Sequence, residues 1–310
     1  MATVAARATQ GRRLGTLSER PGFLASLLIS PAVLFILLLV GGPLALAIEL
    51  SFTDATAGSL SGPWVGLRHF RDLIGSSAFQ DTVWHTFLFT AISQAIVVLL
   101  AGLLAHALAR SFRGRWLIRF LILLPWAAPV ALTTIAFLWF FDPLASIWNW
   151  FLVHAFHLFS DANKPNWLGT PNKAMASIIS VHVSRLLPFA TIIFLAGIAS
   201  MPQEVDDAAA IDGATGLKKF WYVSLPLQIP IAVVAILFGI VFTATDIAVV
   251  QILTNGGPFN STEVLTTYAY RTGIESGNLG EGAAISLFLL PVLAFVAIGM
   301  LVFARKAEVT

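Results

Sequence analysis

The sequence has 310 residues, of which 57% are hydrophobic and only 11% charged, with a formal net charge of +2. Soluble domains carry roughly 25% charged residues, so this composition excludes an ordinary water-soluble fold and requires lipid as part of the solvent. The absence of cysteine excludes a disulfide framework and a thiolate metal site, and basic residues scattered through short loops argue against nucleic acid as a partner.

In chain order, Arg7, Arg12, Arg13 and Arg20 precede an apolar stretch over residues 24–50. A secretory signal has an apolar core of roughly 7–15 residues, so this longer stretch predicts a transmembrane helix that stays, although Ala45-Leu46-Ala47 resembles a cleavage site. Further apolar stretches at 83–108, 117–141, 174–200, 227–252 and 282–304 also reach the roughly 20 residues that span a bilayer. Several contain proline, among them Pro43, Pro125, Pro129, Pro188 and Pro230, which membrane helices tolerate and transport paths often use. Residues 146–159, rich in Trp and Phe, are too short to cross; they fit either a helix at the headgroup level or a loop whose aromatics are buried.

With the N-terminus inside, twelve of the 18 Lys and Arg residues fall on the cytoplasmic side and five outside, with Arg185 inside a helix. The expectation is an all-α integral membrane protein with both termini cytoplasmic. It has a tail at 1–23, a six-helix domain over 24–304 and a short tail at 305–310, set in the cell membrane of a prokaryote.

The cytoplasmic loop 200–226 is the most informative segment. Ser200 is placed to cap a short helix, Pro202 suits its first turn, and Glu204, Asp206 and Asp207 complement the positive end of the helix dipole. Ala208, Ala209 and Ile211 form a small apolar ridge, Gly213 supplies the positive φ that ends the helix, and Pro226 marks where a second short helix meets the fifth span.

Asp207-Ala208-Ala209, Gly213 and Val223-Ser224-Leu225-Pro226 resemble the Glu-Ala-Ala loop of permease subunits of ATP-binding-cassette importers, with Asp in place of Glu and Val in place of Ile. The run from Ala208 through Asp212 to Ala214 is similar to the carbohydrate, maltose-type version. Val65–Phe70, Leu123–Trp126, Trp139–Pro143, Asn166–Gly169 and Leu253–Pro258 follow the order of that family's other motifs. The resemblance implies a permease that moves a sugar or sugar-like solute by alternating access. It also implies a second permease in a heterodimer, two ATPase subunits holding ATP and Mg, and an extracytoplasmic solute-binding protein. Glu204, Asp207, Ala208, Ala209, Ile211, Asp212, Gly213 and Pro226 would couple the chain to the ATPase. No cofactor, metal site or catalytic activity is expected of this chain. Gly213-Ala-Thr-Gly216-Leu-Lys218 fails the spacing of a phosphate loop, and there is no His-Glu-x-x-His.

Ionisable residues within spans are functional candidates, and the three that matter here are His182, Arg185 and Asp246. His182 and Arg185 are three apart on one helix face. By resemblance to the maltose-type permeases, the solute-lining positions are His182, Arg185, Leu186, Phe189, Gly239, Thr243 and Asp246. Charges at these places depart from the neutral side chains of that family. Arg185 and Asp246 either bind solute or neutralise each other. A stand-alone ion-coupled transporter, with Asp246 as its cation site, is the alternative reading.

Overall fold

The computed structural model describes residues 21–214 and 216–307, all in helices, turns and loops apart from two isolated bridges. The predicted N-terminal tail lies almost wholly outside the described residues. The chain falls into two units, residues 1–49 and 50–310.

In the first unit α1 (Pro21–Ile36) passes through a π-turn, Leu37–Gly41, into α2 (Gly42–Ser51). The cause is Pro43, which has no N–H and whose ring crowds the preceding turn. The helix absorbs this by letting Gly42 donate five residues back, to Leu37 O.

In the second unit α3 (Arg68–Gly75) leads into the long α4 (Ser77–Ala109). The third span is two half-helices rather than one rod: α5 (Arg115–Ala127) and α6 (Val130–Phe141) meet at 96°. Proline at 129 disfavours helical geometry at the residue before it, and Ala128 is extended, with ψ of 145°. The aromatic segment after it is a short helix, α7 (Ile147–Trp150), continued by a π-turn to Ala155. Trp148, Trp150 and Phe151 are exposed, whereas Asn149 is buried between Pro165 O and Trp167 Nε1.

Helix α8 (Pro171–Ala199) packs along α4 and forms the centre of this unit. Ala101 and Ala105 let the two backbones approach, and Phe89, Ile178, Val181 and Phe194 fill the seam. Ser200 does not cap the next helix; it ends α8, and its hydroxyl donates to Gly197 O. α9 (Gln203–Ile211) begins after Pro202 without a side-chain cap. α10 (Gly216–Lys219), a π-turn at Phe220–Ser224 and α11 (Leu225–Ala244) then run on as one helix. Pro226 therefore lies inside a continuous helix, not at a junction between two. The π-turn just ahead of it, with Leu225 donating to Phe220 O, takes up its missing N–H.

The predicted fifth span, 227–252, is also broken. It stops at Ala244 and resumes as α12 (Ala248–Leu253). α13 (Leu265–Tyr270) and α14 (Leu279–Leu287) follow, and α15 (Leu289–Ala307) stays helical through residues 305–307, which the sequence assigns to a tail. Among the described residues five helical segments are long and apolar enough to cross a membrane, and the α5–α6 pair taken as one broken span makes a sixth.

Candidate functional site

The break in the fifth span has a local cause. Thr243 and Thr245 donate their hydroxyls to carbonyls one turn back, Gly239 O and Val241 O, at 2.7 Å each. Such bonds weaken a helix end. Asp246 then restarts the chain: its Oδ1 accepts the backbone N–H of Val249 at 3.2 Å, as an N-capping carboxylate does. A residue read from the sequence as lying within a span is thus a cap at a helix break.

Around Asp246 the helices converge. His182 Nδ1 lies 2.8 Å from Asp246 Oδ2, and Arg185 Nη1 donates to the same oxygen at 3.2 Å. The other imidazole nitrogen, Nε2, lies 2.8 Å from Thr243 Oγ1. That hydroxyl also accepts from Gln94 Nε2 at 2.6 Å. The edge of Phe89 meets the His182 ring at a centroid distance of 5.1 Å. A cluster spanning α4, α8 and the α11–α12 break is thereby tied together. His182 is 2% exposed, while the side chains of Asp246 and Arg185 are 9% and 19% exposed.

A cavity of about 330 Å³ opens on this cluster, near the small end of the roughly 300–1,000 Å³ range of small-molecule sites. His182, Arg185, Leu186 and Asp246 line it, together with Trp126 and Val130 from the bent third span, Phe242, and Thr245–Ala248. Phe189 stacks on Trp126 at 5.8 Å and meets Phe242 edge-on at 5.7 Å, which places it in the wall just behind the lining. Besides Phe189, two more of the predicted lining positions do not line the cavity. Gly239 and Thr243 are buried behind His182 because their face of α11 turns toward Gln94. Sequence reasoning did not identify Gln94, Phe242 or Thr245. A buried glutamine in an apolar helix was the available signal for the first.

The second candidate region is α9. Its end is closed by Gly213 at φ +69°, with Gly213 N–H bonded to Ala210 O and Ala214 N–H to Ala209 O. This turn satisfies the last carbonyls with a left-handed residue. Glu204, Asp207, Ala208, Ile211 and Asp212 are exposed, with Ile211 at 86%. Ala209 is 5% exposed, so it faces the chain and is not part of the outward ridge the sequence predicts.

Comparison with known proteins identifies the family and the fold. The family described as binding-protein-dependent transport system inner membrane component matches residues 98–308. A probable ABC transporter permease protein of Sinorhizobium fredii is 32% identical over 271 residues, covering 86% of this chain and 85% of the relative. The trehalose/maltose transport system permease protein MalF of Thermococcus litoralis is 28% identical over 281 residues, covering 90% and 93%. The fold matches a chain of a bacterial alginate ABC transporter, solved with an alginate pentasaccharide-bound periplasmic protein, at a TM-score of 0.76 and 19% identity over 92% and 95% of the two chains. Two-thirds of the chain fits the family and a relative 32% identical to it is a probable ABC transporter permease, which leaves no place for a stand-alone ion-coupled transporter: the chain belongs to the binding-protein-dependent transport system inner membrane component family and is a permease subunit of an ATP-binding-cassette importer.

Proposed function

We propose that this permease pairs with a second permease, rests on two ATPase subunits through α9, and passes a sugar or sugar-like solute through the cavity at the α11–α12 break. The observation that carries the reading is the outward strip of α9. Asp207, Ala208 and Ile211 stand exposed on a helix fixed by the Gly213 turn and joined directly to α8 and the long α10–α11 helix. An apolar residue as exposed as Ile211 fits a protein cleft, and α9 lies in the chain between α8 and α11, the helices that carry His182, Arg185 and Thr243 of the cluster. Closure of the ATPases on ATP and Mg would draw these helices in and rock the bundle about the cavity. The basic-residue distribution supports cytoplasmic termini and a cytoplasmic α9. A carbohydrate-like solute is supported by relatives named for trehalose/maltose and diacetylchitobiose transport.

Co-purification from the native membrane tests the reading. The chain is expected to bring down an ATPase subunit in stoichiometric amount, and Ile211→Arg is expected to release it while the permease stays folded. Retention of the ATPase by that variant, with normal ATP-driven uptake, would remove α9 from the coupling role.

A further inference from the structure

The chain leaves α6 and enters α8 through residues 142–170, and the polar groups there face inward. Asp142 Oδ1 accepts the backbone N–H groups of Leu144 and Ala145 at 2.7 Å each, which turns the chain sharply at the end of α6. Ser146 Oγ accepts from Asn149 N–H at 3.1 Å and so caps α7. Asn149 is 3% exposed. Its Nδ2 donates to Pro165 O at 3.0 Å and its Oδ1 accepts from Trp167 Nε1 at 2.9 Å. These bonds weld α7 to the stretch that leads into α8. The side chains around Asn149 therefore stand at a fixed height at the ends of both helices.

What is left outside is apolar. Residues 143–160 include no Asp, Glu, Lys or Arg. Trp148, Trp150, Phe156, Leu158 and Phe159 are each at least 41% exposed. This surface continues that of α6, where Trp139 is exposed and the Phe140 ring meets Trp148 at a centroid distance of 6.4 Å. An aromatic surface of this kind needs an apolar partner. A soluble protein that docks and departs would return it to water in every cycle. A bilayer is always present, and indole rings favour its headgroup level, with the ring body among acyl carbons and the N–H near polar groups.

We propose that residues 147–159 lie in the headgroup layer of the bilayer and, through Asn149, hold the ends of α6 and α8 at that depth. The segment has no Lys or Arg to select anionic lipid, so a zwitterionic surface suffices. The inference needs α6 and α8 to be membrane spans, and it is independent of the cavity and of which side of the membrane the segment faces.

The chain has no cysteine, so a nitroxide can be attached at a single introduced site. Trp148→Cys, Trp150→Cys and Phe156→Cys are labelled in the assembled permease–ATPase complex, with the unsubstituted complex treated alike as the blank, and placed in phosphatidylcholine vesicles. Collisions with oxygen, which concentrates among acyl chains, and with a water-soluble nickel chelate give the depth of each label. At two or more sites the label is expected to meet oxygen several-fold more often than nickel, at roughly 5–10 Å below the phosphates. Nickel in excess of oxygen at two or more sites would place the surface in water and overturn the proposal. Exclusion of both reagents, or loss of oxygen contact when the solute-binding protein is added, would assign the surface to a protein partner and overturn it as well. Because each label replaces a ring, the double variant Trp148→Ser/Trp150→Ser gives a second reading. It is expected to fold in detergent yet lose at least half of the rise in melting temperature that transfer into vesicles gives the unmodified complex. An undiminished rise would overturn the proposal.

Discussion

Gln94 and Gly239 occupy each other's space: a Cβ on residue 239 would stand 1.9 Å from Gln94 Oε1. The amide lies flat on α11 only because that position has no side chain, and from there its Nε2 reaches Thr243 and, through it, His182. Gly239→Ala is expected to push the amide away, break this chain of bonds and cost about 1–3 kcal/mol, as overpacking does. The melting temperature of the purified complex measures it. Adding Gln94→Ala is expected to recover most of the loss, because the clash has then been removed from both sides.

On α9 the outward and inward residues are expected to separate cleanly. Ala208→Arg and Ile211→Arg place charge on exposed positions, so they should leave the melting temperature unchanged and lower ATPase co-purification at least tenfold. Ala209→Arg forces a cation into a buried position and should instead destabilise the chain. Gly213→Val puts a β-branched residue at φ +69° and should cost about 1–2 kcal/mol. A melt and a pull-down on each of the four variants check the pattern.

Outside the spans, Glu263 is 2% exposed and takes a 2.6 Å hydrogen bond from Arg271 Nη2. Burial raises its pKa despite the opposing pull of the guanidinium. A raised folded-state pKa means the contribution to stability is complete below the ordinary glutamate value and is lost as pH climbs through the raised one. The loop should therefore tighten as pH falls from neutrality toward the ordinary glutamate range. Glu263→Gln, whose carbonyl still accepts from Arg271 without a charge, should flatten that dependence. Amide hydrogen exchange over residues 254–263, followed from pH 7.5 to 5 with correction for intrinsic rates, reads both outcomes.

A reporter fused after Thr310 is expected to be active only when it requires the cytoplasm, as the bias of twelve basic residues to five predicts. A reporter inserted after Ser160, just beyond the aromatic segment, should show the opposite activity. Matching activity at both points would invert or break the topology.

How far the sequence reveals this molecule depends on which forces set each part. Long apolar runs announce themselves, and Gly213 predicts its own positive φ because no other residue type tolerates that geometry as well. The helix breaks divide into two kinds. At Pro129 the cause is covalent and the residue was in view, yet the apolar run 117–141 concealed the bend, since lipid-facing composition is the same for a straight and a broken helix. At 245–247 no proline or glycine is present; the break arises from two threonine hydroxyls and a capping aspartate whose partners are set by packing. His182, Arg185 and Asp246 were legible because charge in a span is rare. Gln94 was not, because it became significant only when α4 met α11 at Gly239.

Asp246 carries three loads at once: it accepts from His182 and Arg185 and caps Val249. Its substitutions should therefore sort by which load they remove. Asp246→Ala removes the cap and the counter-charge together and leaves the Arg185 guanidinium without its partner, so a loss of about 3–5 kcal/mol is expected. Asp246→Asn keeps one oxygen to cap Val249 but turns an NH2 toward His182 and Arg185 and removes the charge, and should lose less than alanine because the cap survives. Combining Asp246→Asn with Arg185→Gln removes the unpaired guanidinium and should restore part of that loss, a coupling that independent sites would not show. Additive losses in the double variant, measured by thermal melting, would mean that Arg185 and Asp246 do not act on each other.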